Sequence, residues 1–176
     1  MDILPIPPPR SLTVFCAPSA AGEPVIELIA GLALGGPLTI LDGGNCFPAY
    51  RLLRAVRTRT ANLPAVMQRV FIRRAFTCHQ MLAMLEGTSS LPQPTILLNL
   101  LSTFYDEQIP EHETRRLLES CLRQVERLAQ NAPVLVTVTP PPTPERAFLV
   151  ERLCARAGQL FVLELPASPV LQPSLF

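Results

Sequence analysis

The chain has 176 residues, 48% of them apolar, with a mean hydropathy of +0.30 and a formal net charge of +1, a size that supports one hydrophobic core and a charge that excludes a strong overall field for nucleic acid. No apolar run reaches the roughly 20 residues of a membrane span, because Glu27, Asp42 and several Gly and Pro interrupt each candidate, and "MDILPIPPPR" lacks the charged start and continuous apolar stretch of a secretory leader; a cytoplasmic chain with no membrane partner is expected. Cys16, Cys46, Cys78, Cys121 and Cys154 are scattered without a C-x-x-C, which argues against a disulfide framework and against a zinc site.

In chain order, residues 1–10 form a Pro-rich segment expected to be extended or disordered. Short apolar or β-branched runs bounded by Gly or Pro then predict strands at 11–16, 37–42, 69–76, 94–102, 133–139 and 159–165. Helical patterns fall between them, near 24–34, 47–57, 77–86, 111–130 and 144–157. The clearest is 111–130, where Leu118, Cys121, Leu122, Val125, Leu128 and Ala129 make one apolar stripe and Pro110 and Glu111 suit the first turn. Several strands are apolar at consecutive positions, as in sheets covered on both faces. Residues 11–165 therefore read as one α/β domain, a mostly parallel twisted sheet with helices on both faces. Residues 166–176 form a second Pro-rich tail.

The first strand runs into "CAPSAAGEP" and a helix, the layout of a phosphate-binding loop. Ala17 and Gly22 stand at the two glycine positions of G-x-x-x-x-G-K-[ST], but Glu23 and Pro24 follow where Lys and Ser or Thr are needed. Glu23 places a carboxylate where a triphosphate's charge would lie, and Pro24 has neither an amide hydrogen nor a hydroxyl for Mg²⁺. All fifteen basic residues are Arg, so no lysine ammonium exists anywhere for a nucleotide's phosphates. Both Glu23 and Pro24 also suit a helix's first turn for structural reasons alone.

Two further stretches make the pattern specific. "TILDGGNCFPAYRL", with Asp42, Asn45 and Phe47, and "VFIRRAFTCHQMLAML", with Arg74, Ala75, Phe76, His79 and Gln80, resemble segments of the archaeal RadA and eukaryotic recombinase family. The resemblance to the RecA/RadA ATPase core covers residues 11 to 139. It implies a RecA-like P-loop NTPase fold with degenerate Walker motifs: the P-loop Lys falls on Glu23, its Ser/Thr on Pro24, the water-activating Glu on Gly44 and the Walker B Asp on Asn99. It also implies a pseudo-ATPase with no catalytic residues, no metal site and no bound ATP or Mg²⁺.

DNA in the resembled family is held by two loops after the Walker B strand and the next strand. Here the first is acidic, "YDEQIPEHE", and the second is replaced by "PPPTPERAFLVERLCARAG", a turn and a helix. Other contacts with DNA or a partner fall to Arg51, Arg54, Arg57 and Arg59, on or just after one helix, and to Arg74; a solvated face is the competing reading. Asp42, His79 and Gln80 read as structural rather than as a catalytic cluster, and no Ser/His/Asp or Cys/His set can be assembled. The expected function is a catalytically inactive recombinase paralog, a structural subunit of a DNA repair or homologous recombination complex. The partner implied by the resemblance is another recombinase paralog or a SWIM-type zinc-finger protein, with DNA bound indirectly. The alternatives are a nucleotide-binding switch or weak ATPase completed by a partner subunit, and a scaffold domain unrelated to DNA.

Overall fold

The computed structural model describes residues 7–106 and 108–162; the expectations for residues 1–6 and for the tail at 166–176 lie outside them. The elements are β1 (Leu12–Cys16), α1 (Glu23–Gly35), β2 (Leu38–Asp42), α2 (Ala49–Arg57), α3 (Leu63–Met67), β3 (Val70–Arg74), α4 (Cys78–Glu86), β4 (Thr95–Leu98), a 3-10 turn (Leu100–Phe104), α5 (Glu111–Ala129), β5 (Val134–Val138), a second 3-10 turn (Pro144–Arg146), α6 (Ala147–Cys154) and β6 (Gln159–Val162).

The six strands form one sheet in the order β3-β2-β4-β5-β1-β6, and every pairing is parallel. A parallel sheet needs a crossover between successive strands, which the helices supply, so both faces are covered. Residue alternation along each strand sorts the core into two layers. Phe15, Ile40, Ile96, Leu98 and Leu135 pack with α1, α2 and α3 on one face. Val14, Leu41, Leu97, Val134 and Val136 pack with α4, α5 and α6 on the other. The protein is thus an α/β domain of the Rossmann or P-loop type, a single parallel sheet flanked by helices.

Local chemistry sets the helix starts. Pro24 and Glu23 occupy the first turn of α1, where a missing amide hydrogen costs nothing and a carboxylate meets the positive end of the helix dipole. The Asn62 side chain accepts from the Ala65 amide at 3.3 Å to cap α3, and Thr77 accepts from the Gln80 amide at 3.1 Å to cap α4. The Gln80 side chain reaches back to the Phe76 amide at 2.9 Å.

Three elements depart from their expected bounds. The run at 94–102 is a strand only to Leu98: Asn99 adopts the left-handed conformation at φ 49°, which ends the extended chain, and Leu100 and Leu101 reach the core from a 3-10 turn. Helix α3 arises in a segment without helical periodicity, because Asn62 and Pro64 nucleate a single short turn. The helix expected over 144–157 is divided, with a 3-10 turn holding Arg146 ahead of α6. Among the described residues no helix is long and apolar enough to cross a membrane.

Candidate functional site: the crevice at the carboxyl ends of the strands

In open α/β sheets ligands bind beyond the carboxyl ends of the strands, where neighbouring strands send their connections to opposite faces. Here β2 leads to α2 and its neighbour β4 leads to α5 on the other face; β1 leads to α1 and its neighbour β5 leads to α6 on the other face. The register aligns the strand ends, Asp42 beside Leu98 and Cys16 beside Val138. The segments 17–22, 43–48, 99–106 and 139–143 therefore meet at one end of the sheet, and they carry Ala17, Gly22, Gly44 and Asn99.

The first of these segments is packed by its own side chains. Ala17, Ala20 and Ala21 are buried, and the Ala17 amide donates to the Val138 carbonyl at 3.0 Å. Gly22 sits at φ −61°, ordinary for any residue, and a Cβ there would meet nothing closer than 3.6 Å; neither turn geometry nor space requires glycine. Arg51 reaches back from α2 to this segment, donating from Nη1 to the Ala21 carbonyl at 3.2 Å and forming an ion pair through Nη2 with Glu23. Glu23 thus meets a guanidinium of its own chain at the mouth of α1. One turn further along, Glu27 pairs with Arg59.

Asp42 ends β2 fully buried. Its Oδ1 accepts from the amides of Gly44 at 3.2 Å and Cys46 at 3.1 Å, and its Oδ2 from the amide of Phe47 at 3.0 Å. Arg74 Nε lies 3.4 Å from Oδ2. The carboxylate organises the segment that follows it, as Asx turns do. Burial, followed by the Asp42 charge, pushes the Cys46 thiol up to about 12.

Asn99 and the two glycines close the space between β2 and β4. The Asn99 amide donates to Thr137 Oγ1 at 3.0 Å, and its Oδ1 accepts from the amide and the hydroxyl of Thr139, each at 3.2 Å. The Gly43 carbonyl accepts from Ser102 Oγ at 2.7 Å. A Cβ on Gly44 would lie 2.8 Å from Asn99 Cβ, and one on Gly43 would lie 2.6 Å from Met81 Cε and 3.0 Å from the Asn99 carbonyl oxygen. A side chain at either glycine would displace Asn99, and at position 43 the tip of Met81 as well, which favours glycine at both.

The remaining candidates are dispersed. Arg54 and Arg57 are exposed on α2, sharing a face with Tyr50 and Leu53, whereas Arg51 and Arg59 carry the intramolecular partners already given. Arg73 and Arg74 diverge from β3, Arg73 donating to the Met84 carbonyl at 3.4 Å and Arg74 facing Asp42. His79 Nε2 lies 3.1 Å from Glu113 Oε1, so Asp42, His79 and Gln80 each serve a different neighbour. Among the described residues no group of three or more His, Cys, Asp or Glu is placed to hold a metal ion.

Arg146 went unnoticed in the sequence. It is 7% exposed, and its guanidinium donates to Thr114 Oγ1 at 3.1 Å and to the carbonyls of Asp106 at 2.9 Å and Ile109 at 3.2 Å. It ties the acidic segment after β4 to the turn after β5, across 32 to 40 residues of sequence; no local pattern announces such a link. Thr139 also went unnoticed. It holds Asn99, and its carbonyl accepts from Tyr105 Oη at 2.8 Å. Burial raises the Tyr105 phenol above its ordinary value.

Fold and site together define a doubly wound parallel α/β protein whose strand-end segments are tied to one another by the chain's own side chains. No family model matches the chain, and no match is found among the curated proteins.

Proposed function

We propose that this protein is a catalytically inactive RecA/RadA-like paralog, a pseudo-ATPase that serves as a structural subunit of a DNA repair or homologous recombination complex. The observation that carries this reading is that the positions of nucleotide chemistry are engaged within the chain: Glu23 by Arg51, and Asn99 by Thr137 and Thr139, with Asn99 packed against Gly44. The Cβ of any side chain at position 44 would lie 2.8 Å from Asn99 Cβ, so restoring the catalytic Glu would also require Asn99 to change. Its role is then in assembly. The exposed apolar residues of edge strand β3, Phe71 and Ile72, with Phe76 just beyond it, suit a partner that adds a strand to the sheet. Arg54 and Arg57 suit acidic groups on that partner or phosphates of DNA held alongside. The partner is another recombinase paralog or a SWIM-type zinc-finger protein, by the same resemblance.

The test is a thermal melt with and without millimolar Mg-ATP on the wild type and on a Glu23→Lys, Pro24→Thr double variant. The wild type is expected to show no shift, and the variant, with its loop lysine and hydroxyl restored, a rise of a few degrees. A rise in the wild type overturns the pseudo-ATPase reading in favour of a nucleotide-controlled switch. A flat response in both removes the support that the loop lends to kinship with P-loop proteins.

A further inference from the structure

The Sγ atoms of Cys16 and Cys154 lie 3.9 Å apart although 138 residues separate them in sequence. Cys16 is the last residue of β1 and Cys154 the last of α6, and both are free thiols, partly buried. The other cysteines have different surroundings: Cys46 points to Asp42, Cys78 to the His79 ring, and Cys121 lies in the core. A disulfide needs its sulfurs at about 2.05 Å and its Cβ atoms near 3.8 Å. Side-chain rotation and a small shift at the end of α6, which residues 155–157 continue as hydrogen-bonded turns, close the remaining gap.

We propose that Cys16 and Cys154 form a reversible dithiol–disulfide site, oxidised by hydrogen peroxide, that staples the end of α6 to the end of β1. The Cys154 sulfur attacks one peroxide oxygen and breaks the O–O bond, giving a sulfenic acid and one water. Cys16 Sγ then attacks the Cys154 sulfur and displaces the hydroxyl, which leaves as a second water with the Cys16 proton. Two thiol hydrogens are lost, two electrons pass to the peroxide, and a dithiol reductant reverses the change. Burial, followed by the nearby Cys154, pushes the Cys16 thiol up to about 12, so Cys16 carries little thiolate and the encounter with the oxidant falls to Cys154, with Cys16 entering only as the neighbouring thiol 3.9 Å away. The link would pin α6, the element that leads into edge strand β6, to β1, the strand beside that edge, so oxidation would stiffen one margin of the protein.

The experiment treats the full chain with millimolar hydrogen peroxide, removes the excess with catalase, alkylates under denaturing conditions and maps the peptides without reductant. The expected product is about 2 Da lighter than the reduced chain before alkylation, has two fewer alkylated thiols, and yields one peptide pair joining Cys16 to Cys154. Its Tm should rise by about 4–16 °C, as for a staple closing a long loop, and dithiothreitol should reverse the rise. Cys154→Ala and Cys16→Ser should each abolish the product and the shift, while Cys46→Ser retains both. Five alkylated thiols after treatment, an irreversible sulfinic acid on Cys154 without a link, or a link only between two chains would overturn the proposal.

Discussion

Asp42 belongs to a motif that resembles one at a nucleotide site, yet its neighbours assign it to the backbone. Three amides converge on the buried carboxylate, and each would be left without a partner inside the fold if the oxygens were removed. Asp42→Ala should therefore cost about 3 kcal/mol in urea unfolding, a sum of one to three kcal/mol per orphaned group tempered by water entry. Asp42→Asn keeps one accepting oxygen and should cost about half as much. Arg74→Ala removes only a half-exposed cation 3.4 Å away and should cost under about 1 kcal/mol. If Arg74→Ala instead matched Asp42→Ala, the ion pair rather than the amides would hold the segment. At this scale the residue types at 23, 24, 42, 44 and 99 were legible in the sequence, but their partners were not. Glu23 meets Arg51 across 28 positions, and Asn99 meets Thr139 across 40; such pairings exist only once the sheet has formed.

The elements were largely legible because their patterns are local. Short apolar or β-branched runs between Gly and Pro became strands, and the stripe from Leu118 to Ala129 became the buried face of α5. The failures share a cause, which is that a single residue redirected the chain. Asn99 ends β4 by turning left-handed, a conformation its short polar side chain tolerates, although the apolar run continues to Leu101. Arg146 splits the last predicted helix because its guanidinium must face inward to the carbonyls of residues 106 and 109. That turn is a clamp between two connections, and among the described residues the buried cation is held by neutral acceptors, which makes it sensitive to substitution. Arg146→Met keeps most of the volume but takes the donor from the Asp106 carbonyl and one of two donors from the Ile109 carbonyl, while the Thr114 hydroxyl still donates to the Ile109 and Pro110 carbonyls, so a loss of about 1–3 kcal/mol is expected. Amide hydrogen exchange should show the loosening confined to residues 105–114 and 143–150. Exchange that rises evenly over the whole sheet would mean the clamp is part of the core rather than a local tie.

For the whole molecule, alternation of strands and helices implied a parallel sheet, but the order β3-β2-β4-β5-β1-β6 had no signature in the sequence. Hydropathy hinted at surplus apolar surface without locating it, and the order explains where that surplus falls. An inner strand has both faces and both sides covered, whereas an edge strand keeps one side unpaired. Strand β2 is buried at every position, while four of the five residues of β3 are exposed. Natural edges are commonly protected by charge, and β3 has Arg73 and Arg74 at one end only. Phe71 and Ile72, at 54% and 39% exposure, and Phe76 at 66% remain for a partner. In isolation this edge should make the chain self-associate: sedimentation velocity at rising concentration should show growing species, strengthened by sulfate, which favours apolar burial. Phe71→Lys places an ammonium in the middle of the edge without touching the core and should hold the chain at the monomer. Both proteins should melt within about 1 kcal/mol of each other, since surface changes of this kind are small. A wild type that stays monomeric at every concentration would mean that the β3 edge does not drive self-association and awaits a different chain.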